Sequence, residues 1–313
     1  MKYLLLLCAF LVAGAHAETV ERLNQNVWNH GSENCEENQD PAIEIFQFDS
    51  DTYILRQNKC LDFEAPFIYV LFGNRKVFVQ DTGATAEADR FPLYDTLRQL
   101  ITERKEAKGK GSEALEILVT HSHSHSDHTA ADPQFAGKPG VTLVAPDAES
   151  VRQYFAFGDW PNGSATIDLG GRKLTVVPTP GHHSEAITVY DPRTQWLLTG
   201  DTFYPGRLYI WDWEDYKASI RRLVAFTRDH EVSAILGTHI EMSRTPGEDY
   251  PLGSSYQPDE AGLALSVVDL EALDETLREM GAEPRRRILD KFIVYPVGKF
   301  QKALSWILKK VGL

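Results

Sequence analysis

From residue 41 onward the chain alternates short apolar runs with turn residues. AIEIFQF (42–48), TYILRQ (52–57), FIYVLFG (67–73) and KVFVQDTG (76–83) are rich in β-branched and aromatic residues and predict four consecutive antiparallel strands. The period then changes. PLYDTLRQLITERKEA (92–107) sets Leu93, Leu97, Leu100 and Ile101 at helical spacing and predicts an amphipathic helix. Beyond it strands and helices alternate. LEILVTH (115–121), VTLVAPD (141–147), RKLTVVPTP (172–180), EAITVYD (185–191), QWLLTGD (195–201) and VSAILGTH (232–239) read as strands, with helices over 147–157 and 215–230. Residues 18–40 are polar, carry five asparagines without periodicity, and suit an irregular arm. Residues 245–258, rich in Pro, Gly, Ser and Tyr, predict a connector to two C-terminal helices near 259–280 and 297–311. The second of these carries a Phe300, Leu304, Ile307, Leu308 and Val311 stripe that suits docking on its own domain. The resulting division is 1–17, 18–40, 41–244 and 245–313.

The N-terminal segment MKYLLLLCAFLVAGAHA has the parts of a signal peptide. Lys2 precedes an apolar run from Tyr3 to Gly14, and Ala15 and Ala17 form a small-residue cleavage site. The run is shorter than the roughly 20 residues a membrane-spanning helix needs, so the expectation is a periplasmic or secreted protein without a membrane span. Export suits the cysteines. Cleavage removes Cys8 and leaves Cys35 and Cys60, either paired in a disulfide, the favoured reading, or with Cys60 as a buried free thiol. A formal charge of −13 disfavours binding to nucleic acid phosphates or anionic lipid.

The chemistry concentrates where LEILV runs into THSHSHSDHTAADP, with His121, His123, His125, Asp127 and His128 within eight residues. Imidazole and carboxylate are good ligands for divalent ions, and residues two apart on an extended segment project to one side. His123 and His125 can therefore share one ion, while a turn after Ser126 swings Asp127 and His128 toward a second. His182, Asp201 and His239 each follow a predicted strand, where loops converge at one sheet edge.

This set resembles the metallo-β-lactamase-fold hydrolase superfamily. Its HxHxDH signature is matched by HSHSDH (123–128), followed in order by TPGH (179–182), TGD (199–201) and GTH (237–239), with VFVQDTG before the first helix. The resemblance implies an α/β fold, a four-layer αββα sandwich of two mixed sheets flanked by helices, with metals at one edge. It implies His123, His125 and His182 on one metal, Asp127, His128 and His239 on a second, Asp201 bridging both, and Asp81 orienting the ligand loop without binding metal. His121 falls outside that register, beside the ligands or in solvent. His183 either shapes the pocket or is structural.

The nitrogen and oxygen donors make zinc the default for the two divalent ions, with manganese, iron or cobalt fitting the same set. Two such ions sharing Asp201 would bring a bridging water to a pKa of about 7, giving a hydroxide that attacks an acyl carbon, with Asp127 managing the leaving-group proton. The bridging aspartate and the signal peptide together favour an ester or lactone, as in the acyl-homoserine lactonases that this set resembles. In those, a Tyr three residues after the bridging Asp donates to the substrate carbonyl; Tyr204 has that spacing. A β-lactam or thioester hydrolase of the same fold and a non-catalytic periplasmic metal-binding protein are the alternatives. Tyr154, Phe155, Phe157 and Trp160 in one loop, and Tyr204, Tyr209, Trp211 and Trp213 in another, predict an aromatic rim and a small-molecule substrate with an apolar part. A homo-oligomer is compatible with the C-terminal extension, and the oligomeric state is open.

Overall fold

The computed structural model describes residues 16–109 and 115–298. The first six strands form one sheet in sequence order: β1 (Ile43–Asp49), β2 (Thr52–Gln57), β3 (Phe67–Phe72), β4 (Lys76–Gln80), β5 (Glu116–Thr120) and β6 (Val141–Leu143). The first four are antiparallel neighbours, whereas β5 and β6 add in parallel after the crossover through α2 (Leu93–Lys108). The second sheet is built from β7 (Ala165–Asp168), β8 (Lys173–Pro178), β9 (Ile187–Asp191), β10 (Trp196–Gly200), β12 (Ala234–Gly237) and β13 (Ala264–Leu265), in the order β13-β12-β10-β9-β8-β7. Short helices α3 (Ser126–Thr129) and α4 (Ala148–Tyr154) follow β5 and β6, α5 (Trp213–Asp229) makes the parallel crossover from β10 to β12, and α6 (Val267–Met280) follows β13. A third, small sheet orders β11 (Arg207–Ile210), β15 (Ile293–Pro296) and β14 (Arg287–Ile288).

The layers follow from strands that are apolar on both faces. Ile54, Tyr69, Leu71, Phe78 and Leu118 of the first sheet meet Leu174, Val176, Val189, Trp196 and Leu198 of the second in one inner core. Their neighbours one position along point outward. Leu55, Ile68, Val70, Val77 and Val79 pack on Leu93, Leu97, Leu100 and Ile101 of α2. Tyr190, Leu197 and Ile235 pack on Ile220 and Leu223 of α5 and Leu270, Leu273 and Leu277 of α6. Period-two alternation thus feeds three hydrophobic interfaces, and each fully buried Leu, Ile, Val or Phe contributes about 1.5–3 kcal/mol. The product is the four-layer αββα sandwich.

Several segments differ from the sequence expectation. Residues 16–24 are helical rather than irregular (α1), and Leu23 and Trp28 reach the inner core. The helix expected from 259 begins at Val267, because Ser266 caps it: Ser266 Oγ accepts from Asp269 N at 3.3 Å and Asp269 Oδ2 accepts from Ser266 N at 2.8 Å. The stretch before it goes into an antiparallel bridge, Ser243 to Glu260, and into β13. Residues 245–258 form bridges rather than a free connector, with Met242 paired to Asp249 and Gly31 to Tyr256. Strands β7, β11, β13, β14 and β15 had no clear alternation to announce them. The expected helix over 297–311 and most of the signal segment lie outside the described residues. Cys35 and Cys60 form a disulfide. No helix among the described residues is long and apolar enough to cross a membrane.

At one end of the sandwich Asp51 gathers three cations: Arg104 Nε at 2.5 Å, Arg193 NH1 at 2.8 Å and Lys108 Nζ at 3.1 Å. It thereby ties α2 to the β9–β10 turn. Burial favours its neutral acid, but Arg104, Arg193 and Lys108 outweigh that and bring its pKa down to about 2. The folded pKa lies below the ordinary carboxylate value, so this stabilisation is complete above about pH 4 and disappears as pH falls toward 2. Urea unfolding of wild type and Asp51→Asn should differ by about 2 kcal/mol at pH 7 and converge near pH 2. A constant gap across that window would contradict the assignment.

Candidate metal centre

Strand direction brings the donor residues together. β4 runs parallel to β5, and β10 to β12; β8 is antiparallel to β9, which is antiparallel to β10, so β8 and β10 also run the same way. Asp81, the 121–128 loop, His182, Asp201 and His239 therefore emerge from strand C-terminal ends at one edge. Cross-sheet bonds hold that edge: Ile187 N donates to Ser122 O at 2.9 Å, Phe67 N to Thr238 O at 2.8 Å and Tyr69 Oη to Gly237 O at 2.5 Å. Gly181 in TPGH is needed for close approach. At φ +136° its missing Cβ would lie 2.4 Å from the Tyr216 Cα, and its carbonyl accepts from Trp211 N and Asp212 N.

Two groups of donors result, His123, His125, His182 and Asp201 in one and Asp127, His128, Asp201 and His239 in the other, each with its ligand atoms within 4.8 Å of one another. In the first, His123 Nε2 lies 2.8 Å from His125 Nδ1 and 3.2 Å from His182 Nε2, and His182 Nε2 lies 3.1 Å from His125 Nδ1. Asp201 Oδ2 is 3.6 Å from His182 Nε2 and 3.8 Å from His123 Nε2. In the second, Asp127 Oδ2 is 3.1 Å from His128 Nε2 and 3.2 Å from His239 Nε2, while Asp201 Oδ1 is 3.6 and 3.4 Å from them. One oxygen of Asp201 faces each group.

The donor set fits divalent ions. His182 Nδ1–H donates to Tyr209 O at 2.8 Å and His239 Nδ1–H to Glu64 O at 2.9 Å, so each presents a bare Nε2 lone pair inward. Buried His128 Nε2 faces the Asp127 carboxylate at 3.1 Å, and although burial opposes protonation, Asp127, Asp201 and Asp81 outweigh it and raise the His128 pKa well above the usual imidazole value. Burial pushes His123 down, and burial with neighbouring His182 pushes His125 down to about 3, so both offer lone pairs rather than protons. Three lone pairs facing one another repel, and a tetrahedral ion with nitrogen ligands near 2.0–2.1 Å would set them about 3.3 Å apart, close to the spacings here. In the second group burial opposes protonation of His239, but Asp201 and Asp127 outweigh it and hold the pKa up to about 9. A cation there replaces protons.

Asp81 sits at φ +72°, a conformation Asp tolerates better than most residues. Its Oδ1 accepts from Ser122 N at 2.6 Å and its Oδ2 faces His128 Nδ1 at 3.1 Å, which orients that ring. Asp81→Asn keeps the backbone preference and weakens this hold. Competition with a chelator should show metal affinity falling about 10-fold or more; unchanged affinity would remove Asp81 from the orienting role.

The groups border a cavity of about 260 Å³ that also takes Glu64, Tyr204, Tyr209, Trp211, Glu241 and Leu252 into its wall. His121 turns away, to Asp132 at 2.8 Å, and His183 pairs with Glu185 at 2.5 Å; neither is in a donor group. Tyr204 is at the cavity, but its hydroxyl donates to Arg207 O at 2.5 Å. Five of the eight aromatics expected at the rim are elsewhere, Tyr154 among them, edge-on to Phe155. Phe155 is in the inner core with Phe157 and Trp160 packed against it, and Trp213 bonds Gly281 O at 2.9 Å. Glu64, Glu241 and Leu252 were missed by sequence reasoning. Glu241 lies two residues past His239, a spacing that could have placed it on the same side; Glu64 and Leu252 carry no local signal.

Residues 61–275 match the family described as the metallo-beta-lactamase superfamily. The chain belongs to that superfamily. Among curated proteins it is similar to the hydroxyacylglutathione hydrolase of Rhizobium meliloti (strain 1021), 28% identical over 159 residues, covering 47% of this chain and 55% of the relative. The hydroxyacylglutathione hydrolase of Brucella ovis is 30% identical over 118 residues, covering 37% and 45%. The chain thus spans about half the length of the curated relatives it matches. Among solved structures, a metallo-beta-lactamase from Pontibacter korlensis aligns with a TM-score of 0.46 at 17% identity, over 75% of this chain and 99% of that one. The DIM-1 metallo-beta-lactamase aligns with a TM-score of 0.49 at 11% identity, over 77% and 99%.

Proposed function

We propose that this protein is an exported, dinuclear metal-dependent hydrolase that opens an ester or lactone carbonyl in a small molecule with an apolar part. The observation that carries the reading is the pair of donor groups sharing Asp201 beside a cavity of small-molecule size. His123, His125 and His182 would hold one ion, Asp127, His128 and His239 the other, with zinc favoured and manganese, iron or cobalt fitting the same donors. Two divalent ions, when bound, supply polarisation of a carbonyl oxygen and acidification of a water. The chain's own residues do the rest. Asp201 balances charge at both positions, Asp127 lies at the cavity where a departing alkoxide needs a proton, and Tyr209, Trp211 and Leu252 offer an apolar wall. With its proton committed to Arg207 O, Tyr204 serves this reading as wall rather than as donor to the carbonyl.

The disulfide supports export, since such bonds persist in oxidising compartments, and it agrees with the N-terminal apolar segment. A thioester substrate is the second reading, favoured by the similarity to hydroxyacylglutathione hydrolases. Metal content of the purified protein, together with turnover of a neutral aryl ester, a long-chain lactone and a glutathione thioester, separates them. Two metals per chain with ester or lactone turnover supports the first reading; thioester turnover alone selects the second. Metal with no turnover of any of the three would overturn both.

A further inference from the structure

The cavity has unlike ends. At the donor groups, two divalent ions would outweigh the charges of Asp127 and Asp201, leaving a positive end suited to a carbonyl oxygen. Opposite in sign is Glu64: burial with Asp127, Asp201 and Glu241 raises its pKa to about 7 in the metal-free protein, and two divalent ions nearby would favour its ionised form. Its carboxylate accepts no hydrogen bond and makes no ion pair with the described residues, and its backbone carbonyl is fixed by His239 Nδ1 at 2.9 Å. The other wall carboxylate, Glu241, is already matched. It accepts from Arg207 N at 2.6 Å and lies 3.3 Å from Arg207 NH1, whose guanidinium also meets Asp249 at 2.7 Å. No lysine or arginine is among the described residues lining this cavity, while Lys59 and Arg207 line the adjoining pocket that shares Glu64, Glu241 and Leu252 with it. A substrate carboxylate would find no cation in this cavity besides the metals, whereas an ammonium group would find Glu64 and the faces of Tyr209 and Trp211.

We infer that the cavity selects a cationic substrate, an ester or lactone that carries an ammonium group, with Glu64 and the Tyr209–Trp211 wall as its specificity determinants. This rests on the hydrolase reading above and narrows its substrate class. Glu64 acts here by position and charge, holding the ammonium end while the carbonyl end meets the donor groups. Trp211 and Tyr209 add an aromatic surface that attracts a quaternary ammonium and tolerates its methyl groups, and Leu252 closes the side with apolar contact.

The test uses an isosteric pair, 2-(trimethylammonio)ethyl butanoate and its uncharged analogue 3,3-dimethylbutyl butanoate, on the metal-loaded protein. We expect kcat/KM for the cation to exceed that for the neutral ester by roughly tenfold or more. Glu64→Gln should bring the ratio close to one, and Glu64→Lys should reverse the preference. Independently of turnover, calorimetry with benzyltrimethylammonium, which cannot ligate a metal, should show binding that weakens at least about fivefold in Glu64→Gln. A ratio near one in wild type with the neutral ester hydrolysed, or equal binding of the probe by wild type and Glu64→Gln, overturns the inference and leaves the hydrolase reading standing. Absence of turnover for both esters, with Glu64-dependent binding of the probe, leaves the cation site standing and counts against the ester reading.

Discussion

In the dinuclear hydrolase proposed above, Asp201→Ala should take the protein from two bound metals per chain to one or none and lower kcat/KM on its best ester or lactone by about 10³-fold or more. Asp201 is the only residue common to both donor groups, with Oδ2 toward His182 and His123 and Oδ1 toward His128 and His239. Its carboxylate is held by Thr238 Oγ1 and is buried. Burial raises its pKa, but His239, His128 and His123 outweigh that and hold it well below the usual carboxylate range, so it carries full charge at neutral pH. Alanine removes that charge from between five imidazoles, and each ion position loses its shared anionic ligand. Metal analysis after dialysis, paired with a melting curve to establish folding, reads the effect. Two metals retained with activity near wild type would refute the shared-ligand assignment.

Glu260→Ala should lower unfolding free energy by about 3–5 kcal/mol, with a fall in Tm of roughly 10 °C. Arg56 is fully buried in β2 and reaches Glu260 through two bonds, at 2.6 and 2.7 Å, across 204 positions of sequence. Lys59 lies 3.8 Å from the same carboxylate, and burial and Arg56 push its pKa down to about 8. Removing Glu260 leaves two cations buried together, one of which cannot lose its proton. The loss is a penalty of mismatch rather than the worth of the pair. Replacing both partners, as Arg56→Met with Glu260→Leu, should therefore recover most of the stability. Failure of the double variant to exceed the single one would show that the pair itself, not the unpaired charge, carries the stability.

The inner strands were legible because a strand buried on both faces is apolar throughout: TYILRQ, FIYVLFG and QWLLTGD need no partner to reveal themselves. β11 and β15 pair in parallel from positions 207–210 and 293–296, and nothing local in RLYI or IVYP announces a partner some 80 residues away. α1 was hidden in a polar stretch, since its burial depends on Leu23 meeting a core made by other elements. At the site, HSHSDH was readable because donor chemistry and period-two spacing are local properties. His182, Asp201 and His239 were readable through family resemblance. The walls were not. Phe155 and Trp160 looked equivalent to Trp211 as loop aromatics, but the first two close the inner core and the last borders the cavity.

By itself the sequence determined the layered α/β class, the donor side chains of HSHSDH and the two cysteines, because alternation, donor atoms and thiols belong to residues. Tertiary structure alone decided that Asp201 turns one oxygen to each donor group, that Tyr204 spends its proton on Arg207 O and that Glu64 lines the wall without a direct ion pair among the described residues. Those outcomes depend on which strand ends meet at one edge and which polar groups find partners there, and such pairings arise between segments far apart in the chain.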